Sequence, residues 1–230
     1  MPYPNIITID GPAASGKTTL GKLLADDMDY LFFDTGVMYR AVTWAVLDQN
    51  INVNQEMAVS TLAQQAEIDV LPPSQIDGRS CDIRFSGHDI TWEIRSSLVE
   101  ANVSVISAYS GVREAMTLRQ RQIGLRGNVV MVGRDIGTVV LPEADFKVFL
   151  EASAEERARR RTSELIQRAE PAEYNEILKA MKNRDRIDST RAIAPLRPAP
   201  DAIIINTDNL SITQVFNMII NLAGKDVSIS

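Results

Sequence analysis

The chain has one cysteine and one histidine in 230 residues. A lone thiol, Cys81, excludes an intramolecular disulfide and fits a reducing compartment; it is expected as a small hydrophobe in a strand. His88 is expected at a surface or turn position, outside any catalytic role. No apolar run approaches the roughly 20 residues a membrane helix needs, and Met1-Pro2-Tyr3-Pro4 carries no basic targeting region. A cytoplasmic protein with no membrane partner is the expectation. Positive charge is also lacking. The net charge is −6, which argues against a nucleic-acid partner held by bulk charge. Lysine is scarce, with 6 against 18 arginines. Arginine suits bidentate recognition of phosphate, so local clusters in an acidic chain point to a small anionic substrate. There is no internal repeat and no low-complexity tract.

What is present begins at residue 6. The apolar run Ile6-Ile7-Thr8-Ile9-Asp10 leads into Gly11-Pro12-Ala13-Ala14-Ser15-Gly16-Lys17-Thr18, a complete G-x-x-x-x-G-K-[ST] phosphate loop between a strand and a helix pattern. Glycines let backbone N–H groups curl around phosphate oxygens, Lys17 can reach the β- and γ-phosphates, and the Thr18 hydroxyl can hold Mg²⁺. The following helix, with Leu20, Leu23 and Leu24 on one face, aims its positive dipole end at the same anion. A nucleoside triphosphate is the expected ligand.

Four further apolar runs, 30–34, 128–132, 146–150 and 202–206, complete five buried parallel strands. Helical patterns lie between them, so the fold class is α/β, with helices on both faces of a parallel sheet. Ligands in such sheets gather at the carboxyl ends of the strands. The residues there are Asp10, Asp34, Gly133-Arg134-Asp135 and Asn206-Thr207-Asp208. Residues 68–95 break the pattern with short strands and tight turns (Pro72-Pro73, Asp77-Gly78, Gly87-His88), including strands over 81–86 and 90–94. This predicts a small antiparallel insert. One long helix is predicted over 96–121. A polar, mostly helical excursion follows over 153–200 and ends in a proline-rich stretch. Arg184, Asp188 and Arg191 are spaced to share one helix face. Residues after Ala223 read as a frayed end.

The segments I-T-I-D-G-P-x-x-S-G-K, D-T-G-x-M-Y-R, V-R-E-A-M-x-x-R-Q-R, G-R-D-I-G-T-V-V and R-x-x-x-D-S-T-R-A-x-A-P-L run in order from residue 6 to about residue 215. In them the chain resembles the bacterial cytidylate (CMP) kinases of the nucleoside monophosphate kinase family. The resemblance implies a P-loop NTP hydrolase core with a five-stranded parallel sheet, an antiparallel insert and a helical lid. It implies a single kinase domain over 1–230: core 1–40, 111–152 and 201–225, a monophosphate-binding region about 41–110, and a lid about 153–190. It also implies phosphoryl transfer from ATP, with Mg²⁺, to CMP and dCMP, by a monomer.

The site residues implied are these. Gly11, Pro12, Ala13, Ala14, Ser15, Gly16, Lys17, Thr18 and Thr19 hold ATP, with Arg157 on the ATP side. Thr35, Arg40, Arg134 and Arg191 gather around the CMP phosphate, with Gly133 beside them. Ser104, Arg113 and Asp135 read cytosine. Arg184 and Asp188 lie near the ribose and the transferring group. Catalysis falls to Lys17, Arg134, Arg184 and Arg191, whose charges would offset the repulsion between two nucleotides. Asp135 can accept from the cytosine amino group and Arg113 can donate to N3 or O2, whereas uracil would turn an oxygen toward the carboxylate. One departure is Val132, where the family commonly places a carboxylate; Thr18, glycine in some relatives, is expected to compensate at the metal. Other small-molecule kinases (UMP/CMP, shikimate, deoxynucleoside) and a GTP-hydrolysing switch are the alternatives. The absence of any N-K-x-D segment counts against the switch.

Overall fold

A computed structural model describes residues 3–71 and 73–226. In chain order the elements begin with β1 (Ile6–Asp10), α1 (Lys17–Met28), β2 (Leu31–Asp34), α2 (Gly36–Asp48), α3 (Glu56–Gln65), β3 (Ile68–Leu71), β4 (Asp82–Phe85) and β5 (His88–Asp89). They continue with α4 (Ser97–Ile106), α5 (Ser110–Gly124), β6 (Val129–Gly133), β7 (Phe146–Glu151), α6 (Ala154–Gln167), α7 (Tyr174–Thr190), β8 (Ile203–Asn206) and α8 (Ile212–Asp226). The chain divides into two units, one of residues 1–34 and 121–230 and one of residues 35–120.

In the first unit the five strands expected from the apolar runs form one parallel sheet in the order β2-β6-β1-β7-β8. Alternation sorts their side chains. Ile7, Ile9, Val130, Val132, Val148, Leu150 and Ile205 pack with Leu20, Leu24 and Met28 of α1 and Val215, Ile219 and Ala223 of α8. Those helical residues recur every fourth position, which puts them on one face. Burying each such aliphatic side chain contributes about 1.5–3 kcal/mol. Leu23, expected on that face of α1, is 42% exposed instead, one residue off the four-residue repeat. A Cβ on Gly21 would meet Val132 Cγ1 at 2.5 Å, so α1 lies tight against β6. On the opposite face Thr8, Asp10 and Lys147 meet a π-helical turn at Ile136–Val140, and Met131 meets the last turn of α5. Helices α6 and α7 form a hairpin, with α6 opened by a Ser153 cap that accepts from Glu156 N at 3.2 Å.

In the second unit, β3, β4 and β5 form the small antiparallel sheet expected for residues 68–95. The strand expected over 90–94 does not form; Glu93–Arg95 is a 3₁₀ turn, because Asp89 caps Thr91 through both its N–H and its hydroxyl and ends the ladder. Cys81 precedes β4, half-buried, rather than lying in a strand, and His88 is exposed in β5. The single helix expected over 96–121 is two, α4 and α5, broken at residues 107–109. Two bonds fix the break: the Arg113 guanidinium donates to Ser107 O at 3.1 Å, and Tyr109 Oη reaches across the unit to Val53 O at 2.9 Å. Trp44 meets Phe85 edge-on, ring centres 5.9 Å apart.

The expected turn at Pro72-Pro73 falls partly on Pro72, outside the described residues, as does the end of the expected frayed tail, residues 227–230. The helix α8 nonetheless runs past Ala223 to Asp226. No described helix is long and apolar enough to cross a membrane.

Candidate active site

The phosphate loop joins β1 to α1 at the carboxyl edge of the parallel sheet. Glycine is required twice. Gly16 has φ +94°, and a Cβ on Gly11 would stand 2.3 Å from Leu150 O. Lys17, the first residue of α1, is 8% exposed and donates to Pro12 O and, at 3.3 Å, to Ser15 Oγ. Burial lowers its pKa to about 7, helped by the positive Arg134 and Arg184 and opposed by Asp34 and Asp10. Thr18 Oγ1 donates to Asp34 Oδ2 at 2.9 Å. Asp34 ends β2 and pairs in register with Val132 of β6, so the strand beside Val132 carries a carboxylate level with it.

At the end of β1, Asp10 is 4% exposed and accepts from Ile136 N and Gly137 N, both at 2.8 Å. Burial raises its pKa to about 7 despite these two donors; the neighbouring Asp135 pushes the same way and Lys17 opposes.

Gly133 ends β6, and the two residues after it enter an ion-pair network. Arg134 Nε donates to Asp188 Oδ2. Arg191 approaches Asp135 Oδ1 at 3.4 Å and Asp188 Oδ1 at 3.8 Å. Burial acts to raise the Asp188 carboxyl, yet the charges of Arg134, Arg184 and Arg191 hold it below the usual range. Arg184 and Asp188 lie on α7, and Arg191 caps its end, its N–H still donating to Ile187 O and its guanidinium reaching back to Asp188 of the preceding turn. Arg191 is the residue past the last turn, with extended backbone, and it is held there by donating Nε to Ala194 O at 2.6 Å. The proline-rich stretch pulls the chain out of the helix at that point, with Leu196 N donating to Asp188 O.

Arg157, in the first turn of α6, is 3% exposed. It donates to Ala13 O of the phosphate loop at 3.2 Å and grips Asp185 with both terminal nitrogens, at 3.1 and 2.5 Å. A cavity of about 210 Å³ opens beside the loop, lined in part by Ser15, Gly16, Thr19, Arg160, Thr207 and Leu210.

In the second unit, Thr35 precedes α2 and is buried, and Arg40 of α2 pairs with Glu100 at 2.5 Å. Arg113 is 3% exposed, with its guanidinium carbon 5.4 Å from the Tyr39 ring centre. Ser104 is half-buried on α4, its carbonyl accepting from Ser107 Oγ at 3.2 Å. The first unit thus gathers Lys17, Thr18, Arg134, Asp135, Arg157, Arg184, Asp188 and Arg191, and the second carries Thr35, Arg40, Ser104 and Arg113.

Four partners escaped sequence reasoning as site residues: Asp34, Asp185, Tyr39 and Glu100. Asp34 carried a signal as a carboxylate at a strand end, and Tyr39 as a fixed position of the D-T-G-x-M-Y-R segment.

A family model described as cytidylate kinase matches residues 7–225. A protein named cytidylate kinase from Herpetosiphon aurantiacus is 49% identical over 226 residues, covering 98% of this chain and 97% of that one. One of the same name from Bacillus velezensis is 44% identical over 221 residues, covering 95% and 96%. A solved structure of an uncharacterized protein from Eubacterium ventriosum superposes with TM-score 0.51 at 12% identity, covering 96% of this chain and 98% of that one, a likeness of fold alone.

Proposed function

This chain belongs to the cytidylate kinase family, and on that footing we propose which of its residues serve each substrate. It is a kinase that transfers a phosphoryl group to CMP. The alternatives of another small-molecule kinase or a nucleotide-hydrolysing switch are not favoured.

The donor in this reading is ATP. Residues 11–19 wrap its phosphates, Lys17 meets the transferring end, and the cavity beside Thr207 takes the nucleoside. Kinases of this family use ATP with a divalent metal, which we take to be Mg²⁺. The local donor set fits it. Mg²⁺ takes one or two protein oxygens plus waters and phosphate oxygens, and the Thr18 hydroxyl and Asp34 carboxylate supply hard oxygens beside the loop. Among the described residues there is no cluster of three or more His, Cys, Asp or Glu able to hold a metal alone. When bound, the ion neutralises charge on the phosphates.

The acceptor is CMP, and dCMP by extension. Arg134 and Arg191, with Thr35 and Arg40, serve its phosphate; Asp135, Arg113 and Ser104 serve its base; Arg184 and Asp188 lie by the sugar and the transferring group. The observation that carries this reading is the ion-pair set Arg134–Asp188–Arg191–Asp135, formed in the same unit as Lys17. A phosphate arriving there exchanges one anion for another against cations already held in place, which is the preorganisation phosphoryl transfer requires. Residues 153–190 act as a lid, and the enzyme works as a cytoplasmic monomer.

The experiment is ADP release with MgATP and CMP, dCMP, UMP, AMP and GMP in turn. Turnover that depends on CMP, with UMP weak, supports the base readers. Strong turnover with a different monophosphate overturns the roles of Ser104, Arg113 and Asp135.

A further inference from the structure

We propose that Asp10 is a positioning residue that clasps the Arg134-Asp135 segment from both sides and so sets where those two side chains meet the monophosphate. The inference rests on the reading that Arg134 and Asp135 serve CMP.

The geometry is a bracket. Asp10 and Gly133 are register partners on neighbouring parallel strands, so the chain enters the segment beside the Asp10 backbone. Three residues later it is caught again, because the Asp10 carboxylate accepts from both Ile136 N and Gly137 N at 2.8 Å. Only Arg134 and Asp135 lie between the two ties, and Asp135 bends with φ −145° and ψ 25°. With both ends fixed to one residue, the two side chains leave the sheet edge where Asp188 and Arg191 receive them.

A carboxylate is the one side chain of this length that accepts at both oxygens; an amide offers one acceptor and one donor. The site is also fitted closely. A Cβ on Gly137 would stand 3.4 Å from Asp10 Oδ2, 3.1 Å from Thr8 Oγ1 and 3.2 Å from Lys147 Cδ. Residue 10 immediately precedes the phosphate loop, so one side chain ties the strand feeding the ATP loop to the segment assigned to CMP. Burial raises the Asp10 carboxyl to about 7, and the two N–H donors and Lys17 oppose that rise.

The test compares Asp10→Asn, Gly137→Ala and Arg134→Ala in the full chain, measuring KM for CMP at saturating ATP, KM for ATP at saturating CMP, kcat and Tm. Asp10→Asn turns an amide N–H₂ toward a backbone N–H. It is expected to raise KM for CMP at least about ten-fold, since displacement of a substrate-holding group by an ångström is costly, and to leave KM for ATP within about two-fold. Gly137→Ala keeps the Asp10 charge but presses its methyl on Thr8 Oγ1 and Lys147 Cδ, shifting the Gly137 N–H within the clasp, so a smaller shift in the same direction is expected; it decides the matter if Asp10→Asn does not fold. Equal shifts in both KM values would mean a general structural role and overturn the proposal. An unchanged KM for CMP in Asp10→Asn, with a raised one in Arg134→Ala, overturns Asp10 positioning and leaves the site reading standing. An unchanged KM for CMP in Arg134→Ala removes the reading and the proposal together.

Discussion

Thr18 Oγ1 donates to Asp34 Oδ2 at 2.9 Å, joining the first turn of α1 to the end of β2 beside Val132. Val132 therefore has a carboxylate level with it one strand away, bonded to α1. Thr18→Gly and Asp34→Asn are expected to raise the Mg²⁺ concentration for half-maximal activity, by roughly 10-fold or more for loss of a group that orients a metal ligand. Mn²⁺ binding to the enzyme–ADP complex, followed by its magnetic resonance signal, checks this apart from turnover. An unchanged Mg²⁺ dependence in Thr18→Gly would remove Thr18 from the metal.

Arg134→Ala is expected to lower kcat by about 10²–10³, equivalent to about 2.7–4 kcal/mol, the usual loss for one preorganised charge at a reacting centre. It also leaves Asp188, 2% exposed, with one cation fewer beside it. A fall in Tm therefore accompanies the kinetic loss, read by thermal unfolding with and without CMP.

Asp135→Ala is expected to narrow the preference for CMP over UMP. An oxygen facing a buried carboxylate costs about 1–3 kcal/mol, so the ratio of kcat/KM values should shrink by roughly five- to 150-fold. A fixed ratio would mean another residue reads the base.

Lys17 has a pKa near 7 because burial outweighs the help of Asp34 and Asp10. Around pH 8 it is largely neutral in the free enzyme. Polyphosphate binding favours its charged form, so binding of MgATP takes up a proton there and takes up little around pH 5, where Lys17 is already charged. Calorimetry in buffers of different ionisation heat measures this. Lys17→Arg removes the lysine share, since arginine stays charged.

Arg157 bonds Ala13 O in the phosphate loop and Asp185 in α7, fastening the start of the α6–α7 hairpin. Asp185→Ala strips a buried guanidinium of its carboxylate. Because Asp185 is 29% exposed, the cost is set below that of a fully buried pair, at about 1–3 kcal/mol in unfolding free energy. In the parent chain, proteolytic cutting within 153–190 is expected to fall when ATP and CMP are both bound, and equal cutting in every state would argue against a lid.

Much of the fold was legible because it is local. Five short apolar runs separated by helical patterns admit few arrangements other than a parallel sheet, and a left-handed backbone at residue 16 demands glycine. The errors lie where side-chain bonds to backbone carbonyls override a local pattern. Residues 96–121 carry an unbroken helical signal, but Arg113 takes the carbonyl of Ser107 and Tyr109 reaches Val53, so the helix breaks.

The sequence by itself determined the phosphate loop, the sheet and the family, because each rests on residue types at fixed short spacing. Only the tertiary structure decided who partners whom: Thr18 with Asp34, Arg157 with Asp185, Asp10 with the N–H groups of Ile136 and Gly137. Those pairs span 16 to 127 positions along the chain. Their energy comes from removing charges from water and satisfying them again, a balance that exists only once the strands are side by side.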